Sequence, residues 1–147
     1  MVGGFSSVIG RFGGPTVSSM EVYDPASNAW NHSLSGMHTA RNSHCCIEYE
    51  GNAWAIGGLG GFGPLRSVEI YNPYTDQWRE GPSLLTARYD AACVSVRGSL
   101  HVIGGRGTEH HAQLSTTEVY DPSLNRWVRG SPTPRPIKSH TALCGVF

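Results

Sequence analysis

At 147 residues the chain has room for one ordinary domain. Eleven basic and eleven acidic side chains cancel, which leaves no global field to select nucleic acid or an anionic membrane. No apolar run approaches the roughly 20 residues that span a bilayer, and the opening MVGGFSSVIGRFGG lacks the charged start and sustained apolar core of a secretory signal.

Nineteen glycines and nine prolines fit many short strands joined by tight turns. In chain order, Met1-Val2-Gly3-Gly4 reads as the end of a strand. SMEVYDPASNAW follows over Ser19–Trp30 and recurs as SVEIYNPYTDQW (Ser67–Trp78) and TTEVYDPSLNRW (Thr116–Trp127). Glu21, Glu69 and Glu118 each precede a tyrosine by two positions (Tyr23, Tyr71, Tyr120), and each tyrosine precedes a tryptophan by seven (Trp30, Trp78, Trp127). The period is 48 and then 49 residues, which points to a propeller-type array.

The middle repeat predicts four antiparallel strands, a to d. Ser43–Tyr49 is strand a, and Ala53–Ile56 is an apolar strand b buried on both faces and ended by Gly57-Gly58. Leu59–Arg66 is a loop. Ser67–Tyr71 is strand c, with Val68 and Ile70 on one face and Glu69 and Tyr71 on the other. Asn72-Pro73-Tyr74-Thr75-Asp76 is a turn in which proline presets φ and an Asp or Asn tolerates the left-handed conformation. Trp78 opens strand d. The third repeat follows the same plan, with strand a over Ala91–Val96, strand b over Leu100–Ile103 and an end at Gly104-Gly105.

Arg41 and Arg88 each lie sixteen positions before the first glycine of their pair, whereas the step from glycine pair to glutamate drifts over 17, 11 and 13 positions. The variable insertion therefore sits in the b–c loop, where recognition is expected on a rigid scaffold. After Trp127, Ser139–Leu143 resembles another strand a, with Arg135 two residues too far upstream to fix its register. The expected division is 1–37 (strands b, c, d), 38–84, 85–132, and 133–147 as the first strand of a next repeat.

Four apolar-rich positions ending in Gly-Gly, then Glu-Val-Tyr-Asp-Pro and a spaced tryptophan, resemble the kelch repeat, and the match covers nearly the whole chain. The resemblance implies an all-β fold: a β-propeller of four-stranded blades, typically about six in this family, within the roughly four to eight known for propellers. Three blades do not close such a ring. The expectation is a partial propeller completed by further repeats, the alternative being two chains joined head to tail through their open strand edges. The pattern looks most like the kelch-like adaptors that also carry BTB and BACK domains, in which the propeller captures a substrate for a cullin-type ubiquitin ligase. No BTB-like segment stands in these residues, so a cullin would be reached through other domains. An actin-binding or cytoskeletal kelch scaffold is the alternative, and a kelch-type enzyme a third. A cytoplasmic or cytoskeletal location goes with the first two.

By the same resemblance, ligand contacts fall just after Gly-Gly, at Leu59 and Arg106, and in the segment leading into strand a. Those segments are Arg41, Asn42 and Ser43, then Arg88, Tyr89 and Asp90, then Arg135 and Ser139. This arginine-rich set would suit an acidic or phosphorylated peptide turn through bidentate hydrogen bonds, with Asp90 selecting a donor or base. The competing role for the arginines at 41, 88 and 135 is structural, as partners of the glutamates at 21, 69 and 118. The glycine pairs at 3–4, 57–58 and 104–105, with the tyrosines and tryptophans, are expected to hold strand ends and blade contacts.

No catalytic residue, cofactor or metal site is expected. No Gly-x-Ser-x-Gly, phosphate loop or paired carboxylate appears. In His44-Cys45-Cys46, neighbours on a strand point to opposite faces, so they would not converge on one ion. His110-His111 reads as a solvated pair. Cys46 and Cys93 occupy matching repeat positions, which suggests small buried residues rather than a disulfide framework and a reducing, intracellular compartment.

Overall fold

The computed structural model describes residues 16–24, 26–32 and 35–138. Gly3, Gly4, Ser139 and the strand expected at 139–143 lie outside them. All regular structure among the described residues is β. A hairpin of β1 (Glu21–Asp24) and β2 (Ala29–His32) comes first. A four-stranded blade follows: β3 (Cys45–Tyr49), β4 (Asn52–Ile56), β7 (Val68–Asn72) and β8 (Gln77–Gly81), hydrogen-bonded in that order. The second complete blade is β9 (Ala92–Val96), β10 (Ser99–Ile103), β11 (Thr117–Asp121) and β12 (Arg126–Arg129). Both are antiparallel meanders with strands a to d in chain order. The loop expected at Leu59–Arg66 contains a small hairpin of its own, β5 (Leu59–Gly60) with β6 (Gly63–Pro64).

The repeated sequence builds one device three times. Tyr23, Tyr71 and Tyr120 stand directly across the c–d hairpin from Trp30, Trp78 and Trp127. The ring centroids are 5.3, 5.3 and 5.7 Å apart and tilted, an arrangement aromatic quadrupoles favour. Each tyrosine hydroxyl donates to a turn side chain: Asn28, Asp76 and Asn125, at 2.7, 2.9 and 2.9 Å. Those three residues hold φ of 51°, 51° and 47°, the left-handed region that Asn and Asp enter most readily. One residue thus makes the turn and ties it to the strand.

Parity along each strand decides which neighbour a side chain meets. Trp54, Ile56, Val68 and Ile70 of the first blade join Leu84, Leu100, Val102, Tyr120 and Trp127 in one buried cluster between the blades. The alternate residues Ala53, Ala55, Tyr71 and Trp78 pack with Met20 and Met37 on the other side. A blade covered on both faces needs apolar residues at nearly every position, which is why NAWAI does not alternate. Trp78 and Trp127 also donate Nε1–H to the carbonyls of Ser35 and Pro82, binding each d strand to the segment before its own blade. Trp30 is 48% exposed, so its packing is mainly against Tyr23.

Gly57 and Gly58 hold φ of +62° and +102°, and a Cβ on Gly57 would sit 2.5 Å from the Arg88 carbonyl oxygen. Gly58 N–H donates to that same carbonyl at 2.8 Å. Gly104 and Gly105 repeat the arrangement against Ile137. The next blade's entry segment rests directly on the glycine backbone, where no side chain fits.

The expectation of unpaired cysteines is overturned at one pair. β3 and β9 run beside one another in adjacent blades, and Cys45 and Cys93 form a disulfide with Cα atoms 6.0 Å apart. Cys46 and Cys93 are equivalent within their blades, opposite Ala55 and Val102, but equivalence is not adjacency. The neighbour of position 93 across the blade boundary is position 45.

Candidate functional site

The segment entering strand a carries two kinds of residue. Arg41 and Arg88 point inward, with side chains 0% and 1% exposed. Arg41 Nη2 donates to Glu69 Oε1 at 2.6 Å, and its Nη1 to the carbonyls of Gly57 and Ser67 at 2.8 and 3.0 Å. Arg88 repeats these contacts, with Glu118 at 2.7 Å and the carbonyls of Gly104 and Thr116 at 2.8 and 2.9 Å, while its buried Nε has no partner. The glutamates are saturated in turn: Glu69 accepts from the amides of His38 and Thr39, and Glu118 from those of Leu85 and Thr86. Burial lowers both arginine pKa values from their ordinary position, and the paired carboxylate opposes that shift.

This overturns two expectations. Arg41 and Arg88 are enclosed and spend both terminal nitrogens within the blade, so neither reaches a ligand. The pairing also runs within a blade, Arg41 with Glu69 and Arg88 with Glu118, rather than in the order 21–41, 69–88, 118–135. The arginine precedes strand a and the glutamate sits on strand c of the same sheet. Arg135 does not take the third arginine position. Ile137 does, since its amide and carbonyl bond Leu114 and Gly105 as those of Arg88 bond Leu65 and Gly58. Arg135 is exposed.

The remaining residues gather at the same end of the blades. Asn42 and Leu59 exchange backbone hydrogen bonds of 3.0 and 2.8 Å, and Tyr89 and Arg106 do the same at 3.1 and 2.8 Å. These bridges pin the segment entering strand a to the start of the b–c loop. Ser43 and Asp90, at matching positions, are both left-handed with φ of 50° and 53°. Asp90 N–H donates to the Ser43 carbonyl at 3.0 Å across the blade boundary. Arg106 keeps 30% of its side chain exposed, with Nε 3.9 Å from Asp90 Oδ2 and no hydrogen-bond partner on that nitrogen. Tyr89 Oη meets His111 Nδ1 at 2.9 Å, with the rings edge to face.

One rim residue escaped the sequence reading, and another was read only as half of a solvated pair. Phe62 stands fully exposed at the tip of the β5–β6 hairpin, and His111 props Tyr89. The signal for Phe62 was present: a lone aromatic between glycines in a variable loop. His44 lies just below the rim. Burial, reinforced by the Arg41 charge, lowers its pKa to about 4, so it is neutral at pH 7. Among the described residues, no group of three or more His, Cys, Asp or Glu is placed to hold a metal ion. No helix of the described residues is long and apolar enough to cross a membrane.

A constellation of four-stranded meander blades, glycine-pair strand ends and tyrosine–tryptophan hairpins defines a propeller built of repeats. The kelch motif matches residues 40–85 and 87–134, and the chain belongs to the kelch-repeat family. It is 27% identical over 135 residues to human Kelch-like protein 23, covering 92% of this chain and 23% of that protein. It is 32% identical over 123 residues to mouse Kelch-like protein 35, covering 82% and 21%. Beta-scruin of Limulus polyphemus is 34% identical over 117 residues, covering 76% and 13%. The chain therefore spans less than a quarter of the length of these relatives.

Proposed function

We propose that the chain is a protein-interaction module whose blade-end rim, Ser43, Leu59, Tyr89, Asp90 and Arg106, with Asn42 buried beneath it, takes a polar peptide loop carrying a carboxylate or phosphate. The observation that carries this reading is Arg106. Alone among the three arginines aligned with the blade entries and glycine pairs here, it remains part-exposed, at 30% against 0% and 1% for Arg41 and Arg88. A carboxylate would meet the guanidinium, while Asp90 beside it favours a ligand that also presents a donor. Loss of Arg41 and Arg88 from the set shifts the expected ligand from a densely acidic segment to a turn with one anionic group.

Similarity to kelch-like proteins supports a role as the substrate-recognition part of a ubiquitin-ligase adaptor, and the reading carries a cytoplasmic location with it. Similarity to a scruin supports the second reading, a cytoskeletal scaffold that binds actin filaments. Two assays separate them. Recovery of a cullin with the protein in cell extract, without co-sedimentation on actin filaments, is the result the adaptor reading predicts. Co-sedimentation without cullin would replace it with the scaffold reading.

A further inference from the structure

The edge strands β3 and β9, with the turn that follows β9, are joined at three heights. Asp90 N–H to Ser43 O ties them at the rim, the Cys45–Cys93 sulfurs tie them next, and Tyr49 Oη donates to Gly98 O at the far end, 2.9 Å away. The middle tie alone is covalent, and it alone can be made or broken by solution chemistry. Its Cα separation of 6.0 Å falls in the range that a disulfide spans without moving the backbone. Cys45 and Cys93 are both only partly buried, packed at the edge of the inter-blade cluster. Partly accessible disulfides are the ones that exchange with small thiols. Cys46, one position on, differs: burial pushes its thiol up to about 12, so it supplies no thiolate to compete.

We propose that Cys45 and Cys93 form a reversible, redox-sensing disulfide that sets how firmly the Ser43–Asp90 rim is held together. The rim's role in partner binding rests on the function proposed above, but the disulfide does not. In the forming step, a thiolate of the pair attacks a sulfur of an oxidised disulfide such as glutathione disulfide, and one glutathione thiolate leaves. The second cysteine thiolate then attacks the protein sulfur of the mixed disulfide and releases the other glutathione. Two protein thiols are oxidised and one glutathione disulfide is reduced to two glutathiones. Excess reduced glutathione reverses both steps.

The cross-link bridges a sequence separation of 48 residues and joins the two blades whose entry segments carry the rim. Its closest rim residues are Ser43, two positions before Cys45, and Asp90, three before Cys93. Closing it restrains the backbone hydrogen bond between those two segments, Asp90 N–H to Ser43 O.

The test equilibrates the intact protein in reduced and oxidised glutathione, quenches with an alkylating agent, and maps tryptic peptides without reduction. The expected product is residues 42–66 linked to 89–97, which disappears in excess reduced glutathione, is absent from Cys45→Ala and persists in Cys46→Ala. Amide hydrogen exchange at Asp90 is then expected to slow by roughly threefold or more on oxidation, in wild type and Cys46→Ala but not in Cys45→Ala. No linked peptide, a link running through Cys46, or a link that reduced glutathione does not open would overturn the proposal. So would unchanged Asp90 exchange on oxidation. Neither readout uses a binding partner, so failure of the peptide-binding reading would leave this result standing, and the converse holds.

Discussion

The Arg88 guanidinium meets the Glu118 carboxylate at 2.7 Å with both side chains almost wholly enclosed. The arginine's other acceptors are the Gly104 and Thr116 carbonyls and the Thr116 hydroxyl, and both carboxylate oxygens accept backbone amides as well. The pair therefore acts as a polar rivet that satisfies the ends of strands b and c and the loop crossing them. Arg41 with Glu69 does the same one blade earlier.

Removing one partner of such a rivet strands the other charge in the interior. Arg88→Ala is expected to cost about 3–5 kcal/mol, the range for breaking a buried ion pair from one side. Urea unfolding of the variant against wild type measures it. A cost below about 1 kcal/mol would mean that Glu118 finds water or another donor once the arginine is gone.

The inter-blade aromatics make a second stability test with an internal control. Trp78 is buried at 7% exposure and holds the Ser35 carbonyl, so Trp78→Ala is expected to cost about 3–5 kcal/mol. Trp30 occupies the equivalent position at 48% exposure, and Trp30→Ala is expected to cost less than half as much. Equal losses in thermal or urea unfolding would contradict the burial argument.

Gly57→Ala addresses the blade boundary. The new methyl would have to share space with the Arg88 carbonyl at 2.5 Å while the backbone keeps φ of +62°. The left-handed backbone alone costs a non-glycine residue about 1–2 kcal/mol, and the contact adds to that. Gly51→Ala is the control, since a Cβ there meets nothing within 4 Å at a comparable φ of +76°. Gly57→Ala is expected to destabilise clearly more than Gly51→Ala by the unfolding midpoint.

His44 gives the pH test. Its folded pKa is held at about 4, below its ordinary value of 6.5, first by burial and then by the Arg41 charge. The unfolded chain therefore binds the proton more readily than the folded one. Stability is unaffected above pH 6.5, falls as the pH drops from 6.5 towards 4, and gains no further penalty from this group below that. The loss across the window is on the order of 2–3 kcal/mol. His44→Asn is expected to flatten that part of the stability–pH curve, read from urea midpoints at pH 7, 6, 5 and 4.5. An unchanged slope would place the acid sensitivity elsewhere.

The sequence carried most of the fold because each blade repeats its own local chemistry. The Tyr-x₆-Trp spacing is a cross-strand pair, the Asn or Asp before tryptophan is a left-handed turn residue, and the glycine pair marks where backbones touch. Its limits lay in contacts between repeats. Arg41 and Glu69 share a blade, but a regular period leaves the pairing register open by one repeat. Cys45 and Cys93 are not equivalent positions, so comparing repeats hides that they face each other. Ile137 replaces the third buried arginine after a stretch rich in proline, where spacing no longer reports register. The site was legible as a face and not as a list. Which arginines point outward depends on side-chain direction, which the spacing does not encode.

The most direct test of the division between rivet and rim compares Arg106→Ala with Arg88→Ala on two readouts: thermal unfolding, and binding to an array of peptide turns bearing a single carboxylate or phosphate. Arg106→Ala is expected to keep the wild-type melting temperature and lose the array signal, whereas Arg88→Ala lowers the melting temperature. If Arg106→Ala melts as early as Arg88→Ala, or binds the array as wild type does, Arg106 is structural and the proposed binding rim is wrong.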